Sequence, residues 1–541
     1  MPGSRSTLKA PFPSPMLAPE EHYDEIVGML RAKALKNTSR IALRFLGGHL
    51  TYTELDRESD HVAAGLVENG IRKGDRIACL LGNQPAFPLL WFGAAKAGAV
   101  FVPLNTALRG DLLGYELADC SPKGVVVERD LVPNYAPVAA RAGSPKLWVV
   151  GNLAASPPLP RGAIGFSELL ESKGTPPTDL PSPWEPASIL YTSGTTARPK
   201  GVVLPHRRLA NTPLEVGLRA ELSPESVLFT ALPLYHCNAQ EKTALVALLN
   251  DLTAVFDDRF HASSFWETAT RFQATHVALL TTMITVLYKQ PPKSGDRTHR
   301  VRIATASGTP VSIWKEFENR FGLRIIESYG MTECGCTTLM NPPAAIRVGS
   351  VGVPLGFVEA RIVDDFDQPV PPGSRGELVV RPRQPFTMFL EYFGQPEKTV
   401  EAWRNLWFHT GDLLTQDEEG YFYFVDRKGD VIRRRGENLA PRAVEEVLDQ
   451  HPAVLECIVV GVPSELGEED VKAFVLLKPG ADAGATDLFR FAAERLPFFM
   501  VPRYLEFISE MPKTANQKAQ RFRLRGRLTG REVERSGKGS A

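Results

Sequence analysis

The sequence predicts an α/β protein. A large N-terminal domain would be built of parallel-sheet α/β subdomains plus a small β-rich subdomain, and a small, mobile α+β domain would follow at the C-terminus. Three observations carry this expectation. Helical and strand patterns alternate through the first half, as crossover connections between parallel strands require. From Val348 onward short strands and tight turns take over. A cation-rich junction, RKGDVIRRRGENLAP, then precedes a last short run of helices and strands. At 541 residues the chain is too long for one core, and about 150 residues per domain gives three or four folding units.

The elements follow in order. Tyr52-Thr53-Glu54-Leu55 opens a helix that continues through HVAAGLVENG and stops at Gly70. IACLLG (77–82) is a continuous apolar run of the kind that buried strands give. PLLWFGAAKAGAV reads as a buried helix leading to the strand FVPLN (101–105), and KGVVVE (123–128) and KLWVVG (146–151) repeat the strand signal. Later come VGSVGVPLGFVEARIVD, the turn PPGSRGE, ELVVRP and the strand GYFYFVD (420–426). The last unit reads as helix AVEEVLDQ, strands AVLECIVVGVP and KAFVLLK, and helix DLFRFAAERL. The expected divisions are a large domain over 1–427, a hinge at 428–430, a small domain over 431–525, and a solvated, disordered tail over 526–541.

Composition narrows the partners. Lys plus Arg and Asp plus Glu are 62 each, so no global field points to nucleic acid or an anionic membrane. No apolar run approaches the ~18 residues of a membrane span, and MPGSRSTLKAPFPSPM has no apolar core of a secretory signal. The six cysteines are scattered, and Cys334-Gly-Cys336 lacks a second pair at zinc spacing. Reduced thiols in a cytoplasmic compartment are expected.

The stretch YTSGTTARPKG (191–201) lies between two strand patterns, Ile189–Tyr191 and Gly201–Leu204. It is therefore unlike a P-loop, which opens a helix. No Asp or Glu occurs from Pro186 to Leu214, while Arg198, Lys200, Arg207 and Arg208 do. Glycine-freed amides, hydroxyls and a lysine suit a polyphosphate. The same composition also describes a polar surface loop.

The order of residues goes further. This loop resembles the signature of the adenylate-forming superfamily, which includes acyl-CoA synthetases, adenylation domains of peptide synthetases and firefly luciferase; that signature reads approximately YTSGTTGxPKG, and here Ala197 replaces a glycine. Further motifs of the family recur in order from about residue 40 to 522. The resemblance implies that Thr192, Ser193, Gly194, Thr195, Thr196 and Lys200 hold the phosphates of ATP. In SYGMTE (328–333) it implies that Tyr329 stacks on adenine, Thr332 touches the α-phosphate and Glu333 helps to hold Mg²⁺. In SGTP (307–310) Gly308 keeps the family glycine beside adenine, and Thr309 replaces the usual alanine. FHTGDL (408–413) is similar to the motif whose aspartate, here Asp412, accepts from both ribose hydroxyls. In DRKGDVIRRRGEN (426–438), Arg427 would contact ribose and Gly429 would be the pivot of the small domain. Arg433, Arg434, Arg435, Gly436 and Glu437 resemble the stretch lining the thiol tunnel, with cations suited to CoA phosphates. PKTANQKAQR (512–521) resembles the segment carrying the catalytic lysine, Lys518, with Asn516-Gln517 where Ser-Gly is usual. LPLYHCNAQ (232–240) corresponds to an aromatic-and-His motif at the acid pocket, which makes His236 a gate or carboxylate neighbour; Cys237, Asn238, Cys334, Gly335 and Cys336 would form a fairly neutral wall.

The implied reaction has two halves. A carboxylate attacks the α-phosphate of ATP and pyrophosphate leaves; a thiol then attacks the acyl-adenylate and AMP leaves. Lys518 would clamp the two anions that meet in the first half. The motif at His236 has no Asp to hold an amino acid's ammonium, and no carrier-protein domain follows in this sequence, so CoA is the expected thiol. VPLNTALRGDLLGYEL looks most like carnitine/crotonobetaine-CoA and fatty-acyl-CoA ligases. Fatty, alicyclic, aromatic and betaine-like acids all stay open, and a homodimer is admitted. Two other readings stand beside the ligase. One is a stand-alone adenylation enzyme that loads a carrier-protein thiol. The other is a non-catalytic ATP-binding homologue, for which Ala197, Asn516 and Gln517 speak.

Overall fold

Thr51 starts the first long helix, Tyr52–Glu68, with a reciprocal cap. Its hydroxyl accepts from the Glu54 amide at 3.1 Å, and its own amide donates to the Glu54 carboxylate at 2.8 Å. The helix Ala86–Lys96 is apolar almost all round and buried at every position, as the sequence reading requires. Its one charged residue, Lys96, is satisfied by Asp56 at 2.6 Å and Asp60 at 2.8 Å. The computed structural model describes residues 22–143, 145–154, 158–192, 198–427, 431–512 and 521–535. Ser193, Gly194, Thr195, Thr196, Ala197, Gly429, Asn516, Gln517 and Lys518 lie outside the described residues, as does the side chain of Arg427.

Two large sheets form the N-terminal domain. One runs in the order Ile164–Gly165, Lys146–Val150, Gly124–Glu128, Arg76–Leu80, Val100–Pro103, Pro186–Thr192, Lys200–Pro205. It is parallel up to its last pair, the antiparallel hairpin Pro186–Thr192/Lys200–Pro205. The other has a parallel centre of Arg324–Met331, Ile303–Ser307, His276–Leu280, Val227–Thr230, Thr253–Phe256 and Ile41–Phe45, with antiparallel strands at both ends. A smaller antiparallel sheet of Val358–Val363, Gly376–Pro382, Trp407–Gln416, Trp403–Arg404 and Phe422–Arg427 follows. In α/β sheets of this kind ligands bind beyond the carboxyl ends of the parallel strands. Ser307, Met331, Leu280 and Thr230 mark that edge here.

The C-terminal unit has its own apolar core, in which Val444, Leu448, Val459, Val471, Leu488 and Leu505 are buried. It carries the hairpin Ile432–Arg434/Glu437–Leu439 and a sheet of Val454–Pro463, Glu469–Leu477, Tyr504–Phe507 and Val533–Glu534, flanked by helices Pro441–Leu448 and Ala485–Arg495. Ala107 and Leu112 of the large domain pack against that core.

Of the expected tail over 526–541, residues 526–535 are described, and they pack on the small domain: Val533–Glu534 pairs antiparallel with Tyr504–Phe507, and the Gly526 amide donates to Gly461 O at 3.1 Å. The reason is Lys472. Its ammonium is fully buried and bonds Glu506 at 2.7 Å, Glu532 at 3.0 Å and Arg527 O at 2.9 Å. A polar segment looks solvated when the buried charge it serves lies some sixty residues away in sequence. Slight desolvation pushes the Glu532 carboxyl up, but hydrogen bonds from Lys472 and Thr529 outweigh it and hold it down at about 2.

Truncation after Arg525 is expected to cost about 1–3 kcal/mol by leaving Lys472 partly unsatisfied. Urea unfolding followed by fluorescence checks it; an unchanged midpoint would mean that the segment is only solvated. Glu532 has a folded value below its unfolded one, so its contribution is full above the ordinary carboxylate range and fades as pH falls toward 2. The gap between intact and truncated chains should close over that window.

Candidate active site

The carboxyl edge of the second sheet gathers most of the expected residues. Tyr329 leaves the strand Arg324–Met331 and donates its hydroxyl to Asp412 Oδ2 at 2.7 Å. Asp412 comes from Trp407–Gln416 of the smaller sheet, opposite Arg427 in register. Burial, and then the Asp412 carboxylate, push the Tyr329 phenol well above its ordinary value, so it stays a donor.

Gly308 turns the chain after Ile303–Ser307 with φ +81°, and a Cβ there would strike Thr281 Oγ1. Only glycine fits. The amides of Gly308 and Thr309 both donate to the Glu327 carboxylate, Thr309 at 3.1 Å, and the Thr309 hydroxyl does too. Thr309 therefore spends its hydroxyl on Glu327, which explains what it does in place of alanine.

Lys200, Tyr392 and Glu333 form a row. Lys200 opens the strand Lys200–Pro205, opposite Thr192, with its ammonium 4.5 Å from the centre of the Tyr392 ring. The Tyr392 hydroxyl donates to Glu333 Oε1 at 3.0 Å. Backbone bonds fix this row: Leu390 N to Val203 O, Phe393 N to Gly201 O and Phe389 N to Glu333 O, at 2.7–2.9 Å. The helix Gly110–Cys120 holds both legs of the signature hairpin, through Tyr191 to Asp119 at 2.6 Å and Tyr115 to Pro199 O at 3.3 Å.

His236 meets Glu437 across the two domains, Nε2 to Oε1 at 2.7 Å, and Asn105 donates to the same oxygen at 3.3 Å. Glu437 arrives on the small-domain hairpin, whose turn residues Arg435 and Gly436 have φ of 54° and 80°. Two left-handed residues make the tight turn that joins twisted strands. A side chain at Gly436 would strike Leu280, so the hairpin tip sits against the carboxyl edge of the large sheet. Burial disfavours the His236 imidazolium, but the Glu437 carboxylate outweighs this and raises its pKa.

Two cation expectations change. Arg434 does not face a tunnel: strand alternation turns it inward, where it pairs with Asp470 at 3.0 Å and donates to Phe499 O and Val501 O. Arg208 is not a loop cation for phosphate. It is fully buried, pairs with Glu241 at 2.7 Å and donates to the backbone oxygens of Thr332 and Glu333.

The sequence reading missed that brace. Glu241 and Lys242 lie on a π-helical turn, Asn238–Ala244, just after His236. Lys242 donates to Ser307 at 3.1 Å and Ser328 at 2.8 Å. The available signal was a Glu-Lys pair one residue before the apolar run ALVALL. The free thiols of Cys237 and Cys336 are hydrogen-bonded, and Cys237 Sγ lies 3.7 Å from the Thr332 hydroxyl, which gives the wall beside Thr332 its thiol character. Glu333 beside Lys200 is a fit donor for Mg²⁺, which takes one or two protein carboxylates and completes its shell with substrate phosphate and water.

Residues 30–393 match the family model described as AMP-binding enzyme, and residues 443–518 match its C-terminal domain. The chain belongs to the AMP-binding enzyme family. This is the adenylate-forming superfamily of the sequence reading. Among AMP-binding relatives, the crotonobetaine/carnitine–CoA ligase of Salmonella typhi is 32% identical over 509 residues, covering 92% of this chain and 96% of the relative. Two solved structures are similar. The o-succinylbenzoate CoA synthetase of Bacillus subtilis, a double mutant bound with a product analogue, has 25% identity and a TM-score of 0.79 over 94% of this chain and 99% of that one. A benzoate CoA ligase from Burkholderia xenovorans has 27% identity and a TM-score of 0.69 over 92% and 99%.

Arg208→Met should destabilise the protein by about 3–5 kcal/mol, because Glu241 is left buried and alone. The double change Arg208→Met/Glu241→Met should recover part of that loss. Thermal unfolding of both variants tests the brace, and an equal loss in the double variant would remove it.

Proposed function

We propose that the protein is an AMP-forming carboxylic acid–CoA ligase that works through an acyl-adenylate, in a cytoplasmic setting that keeps its six cysteines reduced. The observation that carries this reading is the His236–Glu437 contact, which brings the small-domain hairpin to the edge where Tyr329, Asp412, Glu333 and Lys200 converge.

The geometry supports the following roles. Asp412, already accepting from Tyr329, has the carboxylate to take ribose hydroxyls. Lys200 and Glu333 would flank the ATP phosphates, and Glu333 would hold Mg²⁺, which when bound neutralises phosphate charge. The acid's carboxylate and the α-phosphate repel one another, so the first half needs a cation between them. Lys518 is assigned that role, together with the signature loop. In the second half a thiol attacks the adenylate carbonyl and AMP leaves. The docked hairpin suits this half: Glu437 and His236 stand together, and Arg435-Gly436 reach Leu280. A carrier-protein thiol is the competing acceptor, and free CoA decides between them.

The test is purified protein with Mg-ATP and a pooled panel of betaine-like, fatty, alicyclic and aromatic acids, with and without CoA, followed by mass spectrometry. Acyl-CoA is expected. Acyl-AMP that CoA never consumes would point to a carrier protein, and no product from any acid would count against the ligase. Lys518→Ala should abolish acyl-AMP formation yet spare thiolation of supplied acyl-AMP.

A pH test isolates the docked hairpin. The imidazolium–carboxylate pair has a raised folded value at His236, so it is complete below the ordinary histidine range and lost as pH rises through that raised value. CoA transfer should fall over that window while adenylation does not. Glu437→Gln should flatten the profile; a profile unchanged in the variant would remove the pair from the second half.

A further inference from the structure

The π-helical turn Asn238–Ala244 buries an ammonium among neutral partners. Lys242 is 6% exposed and donates to two hydroxyls, Ser307 at 3.1 Å and Ser328 at 2.8 Å. Among the described residues no carboxylate pairs with it. Its neighbour Glu241 is committed to Arg208. Glu327 lies within electrical reach, but its carboxylate takes its hydrogen bonds from Gly308 and Thr309. An ammonium has three donors, so two hydroxyls leave one over. Buried charges are ordinarily paired, and a methionine would fill the same length with no charge to bury.

The place of this ammonium indicates what it meets. In a π-helix residue i bonds residue i+5, so residues five apart lie one above the other. Cys237 caps the turn in helical conformation, and it therefore shares a face with Lys242. Both reach the strands opposite: Cys237 goes to Cys336 and Thr332, and Lys242 goes to Ser307 and Ser328. Lys242 is also within electrical reach of Cys336. Exposure falls along the turn. His236, Cys237 and Asn238 are half-buried, whereas residues 239–244 are buried. The open end lies beside Thr332 and His236, where the ligase reading puts the α-phosphate and the acid's reacting carboxylate. The closed end holds the ammonium.

An acid seated with its reacting carboxylate at the open end turns its far end toward Lys242. A second carboxylate there would complete the lysine's set of acceptors and cancel its charge. A quaternary ammonium would meet it as a like charge in a low-dielectric pocket, where repulsion is strong. We propose that Lys242 binds a second carboxylate at the far end of the acid, so that the enzyme ligates dicarboxylic acids and rejects betaine-like ones. The inference rests on the CoA-ligase reading above and names the acid within it.

Matched sets of acids test this. Each set pairs a fatty, alicyclic or aromatic monoacid with the same skeleton carrying a second carboxylate or a trimethylammonio group at its far end, over a series of lengths. Pyrophosphate release reads adenylation, and mass spectrometry with CoA reads the product. In the parent, the best dicarboxylic acid should exceed its monoacid in kcat/KM roughly ten- to a hundredfold, the worth of one charge-assisted hydrogen bond. The trimethylammonio member should give no product. Lys242→Met should erase the preference for the second carboxylate, and Lys242→Arg should keep part of it. A parent that prefers the monoacid or the trimethylammonio acid, or that shows no preference, overturns the proposal whether or not the variants fold. So does a folded Lys242→Met variant that loses every acid in equal proportion, since the lysine would then only brace Ser307 and Ser328. In those cases acyl-CoA still forms and only this inference falls. If no acid of any set yields acyl-AMP or acyl-CoA, the ligase reading falls and takes this with it.

Discussion

The site depends on one buried ion pair. Arg208 lies under the segment that follows the strand Arg324–Met331, with Glu241 as its counter-charge and the backbone oxygens of Thr332 and Glu333 as its other acceptors. A guanidinium presents donors in a rigid planar fork, so it can pin two consecutive carbonyls at once. That pinning sets Glu333, which then meets Tyr392, which in turn lies beneath Lys200. The row of Lys200, Tyr392 and Glu333 is therefore held from below by charges that never see solvent. Buried pairs add little net stability, yet breaking one is costly, so their use here is orientation.

The second dependence is between domains. The hairpin Ile432–Arg434/Glu437–Leu439 turns through Arg435 and Gly436, and the strand period of two then divides its side chains. Arg434 goes inward to Asp470, and Glu437 goes outward to His236. One hairpin thus anchors itself in the small domain with one residue and reaches the large domain with another. The helix Gly110–Cys120 stands on the other side of the same junction. Leu112 packs on the small-domain core, while Tyr115 and Asp119 are tied to the signature hairpin.

The fold was largely legible because its strands and helices are strongly patterned. The apolar runs at 77–82, 123–128 and 146–151 read as buried strands, and the order of motifs singled out Tyr329, Glu333 and Asp412. What escaped depends on long-range pairing. Arg208 reads as a solvated or phosphate-binding cation until its partner Glu241 is known, and Arg434 looks like its neighbours Arg433 and Arg435 until strand alternation is counted. The tail was misjudged for the same reason, since Lys472 lies inside an apolar strand and gives no hint of Glu532. Thr309 could be compared with alanine in sequence, but only Glu327, 18 residues on, gives its hydroxyl a purpose.

Charge is divided between the two approaches to the site. Lys200 lies on the side of the signature hairpin and Glu333, whereas Arg208 and Lys242 beneath are committed to Glu241, Ser307 and Ser328. Glu116 and Glu437 line the interdomain cleft, with Asp119 on the same helix as Glu116, and His236 faces Glu437 across it. A polyanion is drawn to the first region and repelled by the second, because fields in low-dielectric clefts are strong and weakly screened. The two sides of the site thus differ in sign, and the hairpin that carries Glu437 is what brings the acidic side to the large domain.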